Sequence, residues 1–361
     1  MLFNKPLYLS APPRFIITSN TPAFSVKARH FFTWKGDSED KMASKNQKQL
    51  PKEYNSITAF HKKLAESKRI LAVCGAGLSA ASGLATFRGA GGHWREHKAT
   101  DLATPGAFRR DPGLVWLFYA YRRHMALSVK PNAGHHALAA LAKKNPDFLC
   151  LTQNVDNLHQ RSLHPPPQLK PLHGSLFTLT CSSPSCTWSS PNNYASPLCP
   201  ALAPAASSSS LSQLLDPSHP LDPIDPKSLP HCPDCHSLQR PGVVWFGEPL
   251  EEGMLDEIDR WIDAGPVDIV LVIGTSSVVY PAAGYAEACR TKGHTSVVTV
   301  NLDADQNRQT LNSLQEEDFA FAGDAAELLP ELLKPVIGEL PKELLEGTED
   351  QAESKAEEKT Q

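Results

Sequence analysis

Four of the eight cysteines in this 361-residue chain stand in two close pairs, Cys181-x4-Cys186 and Cys232-x2-Cys235. Four thiolates gathered from two such pairs suit a tetrahedral zinc ion in a closed, structural site. The first pair is wide and encloses Pro184, so Cys199, in SPLCPAL, stands as a substitute ligand. Buried free thiols or a disulfide are the readings without metal. The remaining cysteines, at 74, 150 and 289, are too scattered for a disulfide scaffold, which points to metal in a reducing compartment.

A second set of residues could handle a dinucleotide. In CGAGLSA, Gly75 and Gly77 follow an apolar run and let backbone N–H groups approach a pyrophosphate at a helix start. Ala80 stands where the third glycine of GxGxxG belongs, so as a bare fingerprint the segment is incomplete. TQNVDNLH (152–159) ends another apolar run, where Asp156 or Asn157 could simply cap a helix. LHGSLF (172–177) holds His173, one of fourteen histidines, and an isolated histidine is usually a core or surface residue.

These residues need a scaffold, and the chain alternates strand, glycine turn and helix. RILAVCGAG, DFLCLTQN (147–154), DIVLVIGTSS (268–277) and SVVTVNLD (296–303) are short Val/Ile/Leu runs ending in small or polar residues. Such runs are buried on both faces of a parallel sheet. Residues 56–67 have helical apolar spacing, and PNAGHHALAALAKKN and PAAGYAEACRTKG are long enough for crossover helices. A doubly wound α/β core follows, with ligands at the carboxyl ends of its strands. The rhythm breaks from about 177 to 240, where a Pro/Ser/Ala-rich stretch is expected to form a mobile loop inside a metal-stapled insertion.

Taken in order, GAGLS followed by SGLATFRG, TQNVDNLH followed by HGS, the two cysteine pairs, VVWFGE, GTSS, VNLD and GDAAELLP resemble the sirtuin family over roughly residues 55–335. The resemblance implies a Rossmann-type doubly wound parallel sheet at 50–176 and 240–338, with a small zinc-binding insertion at 177–239. It implies NAD as co-substrate, bound by Gly75, Ala76, Gly77, Ser79, Ala80, Thr86, Phe87, Arg88 and Trp94, by Gln153, Asn154, Val155 and Asp156, and by Gly274, Thr275, Ser276, Asn301, Leu302, Asp303 and Ala325. His173 is then the general base, with Asn154 and Asp156 beside it, and Cys181, Cys186, Cys232 and Cys235 hold one structural zinc. Val243, Val244, Trp245, Phe246, Gly247 and Glu248 are expected to pair, strand to strand, with an acyl-lysine protein. The implied reaction yields nicotinamide, free lysine and O-acyl-ADP-ribose.

Within that family, DLATPGAF and LVWLFYAYRRHM resemble the branch that removes succinyl, malonyl and glutaryl groups. Tyr119 and Arg122 would bind the distal carboxylate, and Ala99 would leave room at the pocket entrance. A buried carboxylate loses water at high cost unless a charged donor replaces it, and arginine offers a planar fork. On spacing alone, YAYRR is an ordinary amphipathic helix. A general lysine deacetylase or a protein ADP-ribosyltransferase on the same scaffold are the alternatives.

The ends differ from the middle. Residues 1–36 are basic, hydroxylated and free of acids, the composition of a mitochondrial transit peptide, so residues 1–41 are expected to direct the chain to the matrix. Translation from Met42 would leave it in the cytoplasm or nucleus. Residues 339–361 are Glu/Lys-rich and expected to be a solvated tail. The net charge of −4 offers no basic field for nucleic acid, and no apolar run reaches the roughly 20 residues of a membrane span. Nothing in the sequence sets an oligomeric state, and a monomer is compatible with it.

Overall fold

The computed structural model describes residues 50–86, 92–275 and 284–345, and the backbone of 33–34 and 279–280. Phe87, Arg88 and Ser276, most of the 1–41 extension and the end of the acidic tail lie outside the described residues. Six parallel strands form the central sheet: β1 (Ile70–Cys74), β2 (Phe148–Thr152), β3 (Leu169–Pro171), β4 (Ile269–Ile273), β5 (Ser296–Asn301) and β6 (Phe319–Ala322). Their spatial order is 6-5-4-1-2-3, the arrangement of a dinucleotide-binding sheet. The four strands visible as apolar runs are its four central ones. β1, β2 and β4 are buried at every position because helices cover both faces.

Alternate residues of each strand feed different layers. Ile70, Ala72, Cys74, Phe148, Cys150 and Leu271 face the helices Ile57–Glu66, Ala133–Lys144 and Ala325–Ile337. Leu71, Val73, Leu149, Leu151, Val270 and Val272 face Glu252–Asp263 and Tyr285–Arg290. Helix starts obey local chemistry: Ser56 accepts from the Ala59 N–H, and Asn132 forms a capping box with His135.

A second lobe follows the edge strand β3 in sequence. Gly174–Cys181 pairs antiparallel with Gln239–Val243 and, near its end, with Ser189–Ser190. Its core joins Phe177, Leu179 and Trp245 to Trp116, Phe118 and Tyr119 of the helix Pro112–Ser128. Here the structure corrects one expectation. Part of the Pro/Ser/Ala-rich stretch is regular: Pro200–Ala205 and Ser208–Leu215 are short helices, while 216–225 is turn and coil as expected. Leu202, Ala205 and Leu214 are buried in the lobe's core, and Arg95 donates to the carbonyls of Leu214 and His219. Its few leucines, spaced for one face, drive this docking despite the surrounding prolines and serines.

Candidate active site

The strand order reverses between β1 and β4, which opens a crevice beyond their carboxyl ends. Two glycine turns meet there through backbone alone. The Gly75 N–H donates to the Ile273 carbonyl at 2.8 Å, and the Gly77 N–H to the Gly274 carbonyl at 2.8 Å. A Cβ on Gly77 would lie 2.7 Å from the Gly274 Cα, and Gly274 itself has a φ of +56°. The close approach therefore falls on Gly75 and Gly77. Ala80, ending the short helix Ala76–Ala80, is only partly buried and keeps its methyl group.

The segment after β2 is wired into these turns. Gln153 donates from its backbone to the Cys74 carbonyl at 2.9 Å and from its amide to the Thr275 hydroxyl at 3.1 Å. The Asn154 amide donates to the Gly75 carbonyl (2.9 Å) and the Ser79 hydroxyl (3.1 Å). Ser79 in turn donates to Asp156 at 2.7 Å, whose other oxygen accepts the Leu158 N–H at 2.9 Å. Asn154, Ser79 and Asp156 thus form one polar chain, with the Gln153–Thr275 pair beside it. Val155 turns the other way and packs on the second lobe.

His173 lies just beyond β3, and its Nδ1 is 2.9 Å from the Gln153 carbonyl. It is 7% exposed, and burial pulls its pKa down to about 4. The imidazole is therefore neutral across the physiological range. A carbonyl only accepts, so in the neutral ring Nδ1 carries the proton and Nε2 the lone pair. On the backbone side, the His173 carbonyl accepts from the Val244 N–H at 2.9 Å.

Beside this lies the aromatic wall of the second lobe. The Trp245 indole N–H donates to the Tyr119 hydroxyl at 3.0 Å. Burial raises Tyr119 to about 12, opposed by the Arg122 cation. Arg122, one turn further along the helix, has its pKa lowered by burial, opposed by Tyr119 and then Asp156. Arg122 is thus close enough to Asp156 to feel its charge, and it also lies 5.7 Å over the Phe118 ring. Ala99 and Trp94 belong to the same apolar cluster, with Trp94 edge-on to Phe118 at 5.8 Å.

The segment 243–248 is held more firmly than a free strand edge. The N–H groups of Val244, Trp245 and Phe246 go to His173, Glu248 and Ala103. Glu248 forms a two-pronged ion pair with Arg240, which stacks 3.5 Å from the Trp245 ring centroid. Gly247 is exposed, with a φ of +90°. On the opposite flank, Asn301 ends β5, Leu302 is 71% exposed, Asp303 accepts from the Asn307 amide, and Ala325 begins a helix. Thr86 is partly exposed where the described residues pause.

The four paired cysteines converge at the end of the second sheet. Their sulfurs all lie within 4.8 Å of one another, with Cys181 and Cys235 at 3.3 Å and Cys186 and Cys232 at 3.7 Å. A tetrahedral ion with metal–sulfur bonds near 2.3 Å spaces its ligands roughly 3.8 Å apart, so the set fits zinc. Cys199 is not among these ligands; it packs instead in the lobe's apolar core.

A sequence model of the Sir2 family matches residues 75–281. The NAD-dependent protein deacylase of Candida albicans is 45% identical over 308 residues, covering 79% of this chain and 99% of the relative. The chain belongs to the Sir2 family. Another relative, the NAD-dependent protein deacylase sirtuin-5, mitochondrial, of Canis lupus familiaris, is 42% identical over 78% of this chain and 86% of its own. A Sir2 homologue solved as a complex with NAD superposes with a TM-score of 0.60 at 34% identity, over 77% of this chain and 93% of that one.

Two arginines that brace the second lobe of this Sir2 chain escaped sequence reasoning. Arg123 is 2% exposed and donates to the carbonyls of Leu176, Asn193 (2.7 Å) and Ala195 (2.9 Å). Arg240 clamps Glu248 as described. No local signal marks either, because their partners are backbone carbonyls or residues brought close by the fold.

Proposed function

We propose that this chain uses NAD to remove acyl groups from lysine side chains of proteins, with a preference for short acyl groups ending in a carboxylate. The observation that carries the preference is the pairing of Tyr119 and Arg122, three residues apart on one helix, beside Trp245 and Phe118. An apolar floor of Phe118 and Trp245 with one guanidinium and one hydroxyl suits a carboxylate at the end of an acyl chain.

The turns at Gly75–Ala80 and Gly274–Thr275 would cradle the NAD pyrophosphate by backbone, as no side chain could. Asn301, Leu302, Asp303 and Ala325 would border the adenosine half, and Gln153, Asn154 and Asp156 the nicotinamide ribose. When bound, NAD supplies the ADP-ribosyl group that accepts the acyl chain, with nicotinamide as the leaving group. His173 takes up a proton at Nε2, its ring oriented by the Gln153 carbonyl. Ser79 and Asn154 hold Asp156 in place through the hydrogen bonds described. Four thiolates leave a zinc ion no open position, so its role is structural.

The test is nicotinamide release from NAD with matched succinyl-lysine and acetyl-lysine peptides, for wild type and Arg122→Met. Charge-assisted hydrogen bonds contribute about 1.5–3 kcal/mol each, so losing the guanidinium fork should cut succinyl kcat/KM by roughly a hundredfold or more. Acetyl turnover should not fall. Faster acetyl than succinyl turnover in wild type would sink the acidic preference, and no nicotinamide release with either peptide would sink deacylation itself.

A further inference from the structure

Beneath the NAD-facing turns lies a second set of soft ligands, distinct from the four paired cysteines. Cys74 is the last residue of β1, Cys150 sits on β2, and both face the same side of the sheet. Their sulfurs are 3.8 Å apart. His159 brings a ring nitrogen from the segment after β2, so that the three ligand atoms lie within 4.8 Å of one another. Cys74 and Cys150 are 0% exposed and His159 is 1% exposed.

The histidine is the unusual member. Neither of its ring nitrogens makes a hydrogen bond of normal geometry among the described residues, and the polar group that it approaches is the Cys74 thiol. A buried polar group left in that state costs about 1–3 kcal/mol, so it calls for a reason. The rings of His135 and His164 lie edge-on to it at 5.0 and 5.8 Å and make no hydrogen bond with it, and His135 Nε2 and both His164 nitrogens are in the same state. Hydrogen bonding from Cys150, and then the nearby His159 ring, lowers Cys74 against desolvation, while burial raises Cys150.

We propose that Cys74, Cys150 and His159 form a three-coordinate site for a soft, thiophilic cation, copper(I). Sulfurs around an ion with bonds near 2.3 Å stand roughly 3.8 Å apart in tetrahedral and roughly 4.0 Å apart in trigonal geometry, close to the spacing present. Two sulfurs and one imidazole select soft ions, and zinc asks for a fourth ligand that the cluster does not provide among the described residues. Binding releases the thiol protons to solvent. Cys74 immediately precedes Gly75, and His159 closes the segment that holds Gln153, Asn154 and Asp156. A bound ion therefore ties two NAD-facing segments together from below and is expected to slow NAD turnover.

The zinc-loaded full chain should be titrated without oxygen with copper(I), supplied as its acetonitrile complex, against a chromophoric copper(I) chelator. Zinc release and nicotinamide release are followed in the same samples. One equivalent should be retained with zinc in place, turnover should slow, and X-ray absorption at the copper edge should show two sulfurs and one nitrogen. Cys150→Val, which suits a buried strand, should lose that equivalent and the inhibition while keeping its own turnover. Cys150→Ala, which removes the sulfur without adding bulk, must agree. Copper retained equally by both variants, or taken up only as zinc leaves the paired cysteines, overturns the proposal.

Discussion

Acid should unfold this protein through its buried histidines, and His164 offers the cleanest measurement. His135, His164 and His173 are 0%, 3% and 7% exposed. Burial is the main cause that lowers all three, to about 3 for His164 and about 4 for His173. The folded-state pKa lies below the unfolded value of about 6.5, so the unfolded chain binds the extra proton. Stability is thus whole above about pH 6.5 and falls as pH drops toward the folded-state values. Each such ring loses about 1.4 kcal/mol per pH unit in that window, or about 2 kcal/mol between pH 7 and pH 5. Three rings together lose about 5–6 kcal/mol, comparable to the whole stability of many domains. Carboxylates and zinc thiolates also titrate there, so a difference isolates one ring. His164 faces Phe148 at 6.0 Å, and His164→Phe replaces it with an uncharged ring of similar shape. In urea unfolding at pH 7, 6 and 5, wild type should lose about 2 kcal/mol more than the variant. Parallel losses in the two proteins would refute the assignment of a depressed His164 pKa.

Gly77→Ala should weaken NAD binding by roughly tenfold to a hundredfold, because its Cβ meets the Gly274 backbone and overpacking costs about 1–3 kcal/mol; calorimetric titration with NAD checks this, and unchanged affinity would show that the two turns have room to part. Cys235→Ala should abolish zinc retention and speed hydrogen exchange in Gly174–Cys181 and Gln239–Val243 while leaving β1 and β4 protected. Unaltered exchange in the small sheet would mean that the cluster does not hold it together.

The central part of this fold was legible because fully buried parallel strands must be apolar at every position. ILAVC and IVLVI announce themselves; the edge strands LKP and FAFA do not, being short and, in one case, ending in proline. The candidate catalytic segments were legible through their resemblance to a family rather than through spacing, which left Asp156 as a helix cap and His173 as one histidine of many. Cap chemistry is local, so helix starts at Ser56 and Asn132 follow from the chain itself. The bond from the Asn132 amide to the Leu78 carbonyl at 2.8 Å does not, since 54 residues separate them. The docking of Leu202, Ala205 and Leu214 was hidden for another reason: a handful of apolar contacts ordered a stretch whose composition suggests a loop.

Arg122 and Arg123 are neighbours in sequence with opposite allegiances. One feels the charge of Asp156 in the crevice, while the other grips carbonyls of the second lobe. The helix that carries both shares its apolar cluster with the lobe of the four paired cysteines, whereas the two glycine turns rest on the central sheet. On the proposed reading, acyl recognition and co-substrate handling are therefore housed in different chassis. A lineage could retune its taste in acyl groups by editing one of them and inherit the chemistry of the other untouched.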